Sequence, residues 1–199
     1  MSDLNPLTRS LLEAVSFAAR AHHGQTRKDG RTPYVSHVYR VALIARHVFG
    51  IDDPAVLTAA VLHDTIEDTT TDFDDVAKQF GPQIAGWVAL LSKDKRQQEV
   101  PREETFRIGL ATAPWQVKVC KLADMCDNLI DSKHLTGDKR AHTVARSRAY
   151  LQALNTPDLP SAALRAFLCS HARSWRCRCC PPEHDKLGRL PRSAGARRS

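Results

Sequence analysis

Four ionisable residues far apart in the chain, His37, the adjacent pair His63-Asp64, and Asp124, each sit on a stretch whose apolar residues recur with helical spacing. If those helices pack together, the four side chains converge inside the bundle as a mixed nitrogen and oxygen ligand set. Two imidazoles and two carboxylates suit Mn²⁺, Fe²⁺ or Zn²⁺ better than Ca²⁺ or Mg²⁺. Four protein ligands leave positions for water and substrate on an octahedral ion, which lowers the pKa of a bound water and polarises a phosphoryl oxygen. In LHDTIEDT, Glu67 and Asp68 follow His63 and Asp64 by four residues, so the acidic pair is expected on the same face one turn further along the helix. There they would orient the attacking water or move its proton. In VCKLADMCDNL, Asn128 follows Asp124 by four residues and Lys121 precedes it by three, adding an amide and an ammonium to that side.

Each feature also has a plain structural explanation. A histidine on an apolar helix face is more often a hydrogen-bonded core residue than a ligand. Asp124 could pair with Lys121, EDTTTD could be a capped helix end, and Arg27-Lys28 could be solvated charge. A His-Asp dipeptide is expected by chance less than once in this composition, and the chain has two. The second, His184-Asp185, lies in a Pro- and Arg-rich tail without apolar periodicity, so context favours the first. Four inward-facing ionisable groups without a common purpose would be a costly burial.

The elements that must position these residues read as helices throughout. Leu11, Leu12, Val15, Ala18 and Ala19 give an amphipathic helix from Leu7 to His23. Gly24, Gly30 and Pro33 then make GQTRKDGRTPY a polar turn that carries Arg27 and Lys28. On a second helix, Val35 to Phe49, Val41, Ile44 and Val48 fall within about 40° of His37, which therefore points inward. Asp53-Pro54 is a good start for the helix that leads to His63. Asp72 to Phe80 reads as a short helix closed by Gly81-Pro82, and Gln83 to Leu91 as another. Residues 92 to 104 read as a charged connector, Trp115 to Leu135 as a long helix ended by Gly137, and Lys139 to Leu154 as a further one. No stretch alternates like a strand, so the fold class is all-α, a helical bundle.

With 199 residues, 42% hydrophobic and 26% charged, the chain has the length and composition of one ordinary globular domain plus an appendage. Its net charge of +7 is unevenly placed: residues 1–154 hold 20 Lys+Arg against 19 Asp+Glu, residues 155–199 hold 9 against 3. Only Cys120 and Cys126 of the six cysteines lie in the body, and no disulfide scaffold is expected. We expect a domain over residues 1–156 and a basic Cys-, Arg- and Pro-rich extension over 157–199, with a helix from Ser161 to His171 and disorder from Arg173. Cys177, Cys179, Cys180 and His184 number enough for a zinc site, but their spacing is not a familiar one. The start, MSDLNPLTRS, lacks a signal-like pattern and no stretch approaches membrane-spanning length, so a cytoplasmic location is expected.

The order His, His-Asp, Asp on helices resembles the HD superfamily of metal-dependent phosphohydrolases. The strings HHGQTRKDGRTPYVSHVYRVA, AAVLHDTIEDT and VKVCKLADMCDNL further resemble the hydrolase domain of RelA/SpoT-type proteins and their small stand-alone relatives, over residues 7–154. The resemblance implies an HD-domain bundle with His37, His63, Asp64 and Asp124 as metal ligands, usually of Mn²⁺, and Glu67-Asp68 as the catalytic acidic pair. It implies that Arg27, Lys28 and Asn128 hold the nucleotide, and that the reaction removes the 3′-pyrophosphate of guanosine 3′,5′-bis(diphosphate). Met125 departs from the pattern, standing where the family commonly has a basic residue. Two other readings stay open. One is the same chemistry on NADPH or another phosphorylated nucleotide; the other is a non-catalytic nucleotide-sensing or nucleic-acid-binding protein that uses the basic tail. Against the latter, the charge is confined to the tail and the catalytic set is complete. The expected partner is a small nucleotide rather than a nucleic acid or a membrane, and the oligomeric state is open.

Overall fold

A computed structural model of the chain describes residues 5–171. Among them the regular elements are all helical: α1 (Pro6–Ala21), α2 (Val35–Leu43), α3 (Pro54–Leu62), α4 (Thr65–Asp68), α5 (Phe73–Phe80), α6 (Pro82–Leu91), α7 (Glu99–Thr112), α8 (Trp115–Asp131), α9 (Gly137–Leu154) and α10 (Ser161–His171). The all-α expectation holds. His184-Asp185, the tail cysteines and the segment from Arg173 lie outside the described residues.

Two helices form the centre. α3 is apolar on every face and buried from Val56 to Leu62, as a helix surrounded by others must be. It starts where expected, with Asp53 accepting from the Ala55 N–H at 2.8 Å and Pro54 at the first helical position. α8 is buried without a break from Val117 to Asp127, and that stretch includes Lys118, Lys121, Asp124 and Asp127. α2 packs against both, and α1 and α6 also flank α3. Thus α2, the end of α3, and α8 bring His37, His63-Asp64 and Asp124 together. Between α5 and α6, Gly81 adopts φ 87°, a turn open to glycine at little cost.

Several boundaries differ from expectation, each for a physical reason. The helix of His37 does not run regularly to Phe49: Ile44–Val48 form a π turn, with the Phe49 N–H donating to the Ile44 carbonyl five residues back at 3.0 Å. The wider turn shifts the helical phase, so Val48 is 44% exposed while Phe49 is 4% exposed. α3 ends at Leu62, and His63 and Asp64 lie in a turn before α4. The Thr65 hydroxyl bonds the Leu62 carbonyl there at 2.7 Å, so Glu67 and Asp68 stand on a separate short helix rather than one turn along α3.

The charged connector expected over 92–104 becomes α7 from Glu99 on, a helix that the sequence reading lacked. Of its residues only Phe106 and Leu110 are buried, too few to print an apolar stripe, and Pro101 is tolerated in the first turn. α8 stops at Asp131 in a 3₁₀ turn, Ser132–His134, whose Ser132 hydroxyl bonds the Leu129 carbonyl at 2.6 Å. Gly137 therefore opens α9 instead of ending α8.

The hydrophobic core continues past residue 156. α10 packs on α8 and the π turn, with Leu159, Ala163 and Phe167 buried. Buried Lys118 ties the preceding loop down, donating to Thr156 Oγ1 at 2.8 Å and to both Asp158 oxygens at 2.8 and 3.0 Å. Phe167→Ala should lower the unfolding free energy by about 3–5 kcal/mol, the usual cost of truncating a fully buried phenylalanine. Denaturant titration reads this, and a change below about 1 kcal/mol would mean that α10 is not part of the folded body.

Candidate active site

His37, on α2, is 1% exposed and His63 2%. His37 Nε2 lies 3.2 Å from Asp124 Oδ1 and 3.5 Å from Asp64 Oδ2. His63 Nε2 lies 3.0 Å from Asp64 Oδ2 and 3.8 Å from Asp124 Oδ1. One ligand atom each from His37, His63 and Asp124 fall within 4.8 Å of one another. The other ring nitrogens are already engaged: His63 Nδ1 is 2.8 Å from the Ala60 carbonyl, and His37 Nδ1 is 2.6 Å from Asp127 Oδ2. Both Nε2 atoms therefore face the carboxylates, and that of His63 is buried without a hydrogen-bond partner. An orphaned imidazole nitrogen beside two carboxylates is what a divalent cation would satisfy, so the residues present fit a metal.

The electrostatics agree. Burial acts to raise the Asp64 carboxyl, but His63 and His37 beside it hold it well below the ordinary carboxylate range. Asp124 is likewise lowered against its burial, by Lys121 and the two histidines. Burial lowers His37, yet its hydrogen bonds with Asp124, Asp127 and Asp64 outweigh that and push it up to about 10. The site is a pair of ionised carboxylates that collects positive charge.

The acidic pair sits at the rim of this cluster. Glu67 Oε2 accepts the Lys93 backbone N–H at 3.0 Å. Its carboxyl is raised by burial, with Lys93 pulling it back in part. Asp68 accepts from the Tyr34 hydroxyl at 3.3 Å and from Lys95 Nζ. The same Tyr34 hydroxyl donates to Asp64 Oδ2 at 2.6 Å, so one phenol joins the cluster to the acidic pair.

A cavity of about 270 Å³ opens over these groups, and Arg27, Lys28, Glu67, Asp68, Asp124 and Asn128 all line it. The expected nucleotide residues are not alike. Lys28 is exposed, whereas Arg27 is 6% exposed rather than solvated. Arg27 donates to Asp131 at 2.9 Å through Nε and approaches Asp127 and Asn128 at 3.4 and 3.3 Å through Nη2. Asn128 donates in turn to Asp124 Oδ1, and Lys121 pairs with Asp124 Oδ2 at 2.7 Å. Met125, 2% exposed, contributes an apolar stretch of wall.

Sequence reasoning missed Tyr34, Lys93, Arg146 and Tyr150, which also line the cavity. Lys93 Nζ and Lys121 Nζ lie over the Phe106 ring at 5.3 and 5.2 Å, and Glu103 accepts from both Lys93 and the Tyr150 hydroxyl. A signal for the α9 wall was present: Thr143, Arg146, Ser147 and Tyr150 share one face at helical spacing. Lys93, which follows the end of α6 in a coil, offered none.

Comparison with known proteins accords with this geometry. The HD domain profile matches residues 14–151. Guanosine-3′,5′-bis(diphosphate) 3′-pyrophosphohydrolase MESH1 of Xenopus tropicalis is 43% identical over 130 residues, 63% of this chain and 71% of that one. The Homo sapiens protein of the same name is 45% identical over the same shares. A solved structure, described as a metazoan ortholog of SpoT that hydrolyzes ppGpp, superposes with a TM-score of 0.75 at 31% identity, covering 83% of this chain and 96% of that one. With its His and Asp on α2 and α8 and its His-Asp in the turn that follows α3, the chain belongs to the HD domain family.

Proposed function

We propose that the protein is a metal-dependent (p)ppGpp 3′-pyrophosphohydrolase acting on a nucleotide of the cytoplasm. The observation that carries this reading is the joining of an N₂O₂ cluster, an acidic pair and a cation-lined cavity in one site. The MESH1 relatives, named as guanosine-3′,5′-bis(diphosphate) 3′-pyrophosphohydrolases, and the metazoan ortholog of SpoT that hydrolyzes ppGpp support it. No helix among the described residues is long and apolar enough to cross a membrane.

His37, His63, Asp64 and Asp124 would hold the metal, for which Mn²⁺ is our proposal and Zn²⁺ or Fe²⁺ the alternatives that the donor set admits. When bound, such an ion supplies an acidified water and a Lewis acid for a phosphoryl oxygen. The chain's own groups do the rest. Lys28, Lys93, Lys121 and Arg146 present positive charge to the two diphosphates, while Arg27 and Asn128 fix the wall beside Asp124. Glu67, held by the Lys93 N–H, takes the proton of the attacking water, and Asp68 stands beside it. Attack on the phosphorus attached to O3′ breaks the P–O3′ bond. O3′ leaves as a hydroxyl once it gains a proton, and ppGpp plus water becomes GDP plus pyrophosphate.

The test is incubation of the purified protein with Mn²⁺ and ppGpp, following GDP and pyrophosphate, with Asp64→Ala as control. Release lost in the variant is expected. Turnover of NADPH but not of ppGpp, with metal bound, would replace the substrate and keep the chemistry.

A further inference from the structure

Asp127 is absent from the set of residues that the sequence singled out, yet it is the most enclosed carboxylate of the site, with no exposed surface. It lies on α8 three residues after Asp124. Its two oxygens are committed to different donors. Oδ2 accepts the His37 Nδ1–H at 2.6 Å, and Oδ1 accepts Arg40 Nε at 2.6 Å. Arg40 Nη2 and Arg27 Nη2 also reach Oδ2, at 3.0 and 3.4 Å. Asp131, one turn further along, takes Arg27 and Arg40 but no histidine.

We propose that Asp127 is a positioning residue of the metal site, fixing the His37 ring with its Nδ1–H toward α8 and its Nε2 lone pair toward the cluster. The inference rests on the metal reading above. A metal-binding imidazole must carry its proton on the far nitrogen, and a carboxylate there both selects that tautomer and strengthens the ligand. Asp127 further links His37 to Arg27, so the group that orients the metal ligand also anchors the cavity wall.

The pattern of donors makes the proposal sharp. An asparagine at 127 has one acceptor oxygen and one NH₂, while the site presents strong donors to both positions. If the oxygen turns to Arg40, the amide N–H faces His37 Nδ1. The imidazole can meet it only by moving its proton to Nε2, which blocks the metal-facing lone pair.

Affinity for Mn²⁺ and for Zn²⁺, measured by chelator competition at one pH on proteins verified as folded by circular dichroism, tests this. Asp127→Asn should bind either ion about 10–100-fold more weakly. Asp131→Asn, which disturbs the same arginines without touching His37, should stay within about twofold of the wild type, well short of that loss. Arg40→Ala combined with Asp127→Asn should recover most of the affinity, because the amide oxygen is then free to accept from His37. The double variant also serves if Asp127→Asn alone does not fold. Unchanged affinity in Asp127→Asn, an equal loss in Asp131→Asn, or a folded double variant that binds as weakly as His63→Ala would overturn the proposal. His63→Ala separates the two levels of inference: if it binds metal normally the metal reading itself fails, whereas a loss there with Asp127→Asn unaffected removes only the role of Asp127.

Discussion

His63→Ala is expected to lose divalent-metal binding and nucleotide hydrolysis together. His63 Nδ1 faces the Ala60 carbonyl, so only Nε2 is available to a ligand, and that atom is buried with no hydrogen-bond partner. Nothing else within the turn after α3 can replace it, because Asp64, with Oδ2 near both histidine Nε2 atoms, is itself part of the proposed ligand set. Removing a direct ligand should exceed the roughly 10–100-fold loss typical of an outer partner. A stability measurement reads the same event without activity. At an ion concentration of about 100 times its dissociation constant, binding stabilises the folded wild type by about 2.7 kcal/mol, visible as a rise in Tm. His63→Ala should show no such rise at that concentration. A variant that keeps both the Tm response and turnover would remove His63 from the ligand set.

The residues of this cluster were legible in the sequence because each lies on, or directly after, a helix whose own periodicity states its direction. Val41, four residues from His37, is buried as the spacing requires, and α3 and α8 are buried where apolar residues crowd the motif. What failed to show was set by contacts rather than period. The π turn at Ile44–Val48 leaves no mark in a helical pattern until the exposure of Val48 and the burial of Phe49 reveal the shift. α7 was hidden because two buried residues, Phe106 and Leu110, hold an otherwise polar helix. Asp127 and Tyr34 were illegible for a further reason: their roles depend on partners 90 and 30 residues away in the chain, His37 and Asp64. Local spacing cannot name such pairs. Arg27 read as a loop cation, and it is buried because α8 supplies Asp127 and Asp131 on the facing side.

Glu67→Gln is expected to retain the metal and lose rate, by about 10²-fold or more in kcat, as removal of a general acid or base does. Of the acidic pair, Glu67 is the better placed for proton transfer. Asp68 is tied by Tyr34 and Lys95, whereas Glu67 is oriented through one oxygen by the Lys93 backbone, an anchor that the glutamine retains in shape. Burial raises the Glu67 carboxyl, bringing it closer to neutral pH than an exposed glutamate, which favours proton exchange with water and with the leaving O3′. The sign follows for the pH profile. As a base Glu67 must be ionised, so activity should fall on the acid side as its carboxyl takes up a proton, and that limb should vanish in Glu67→Gln. Metal affinity by competition should match the wild type, since Glu67 makes no contact with His37, His63 or Asp124 that would support them. Unchanged kcat would transfer the proton-handling role to Asp68, and lost metal affinity would make Glu67 part of the ligand shell.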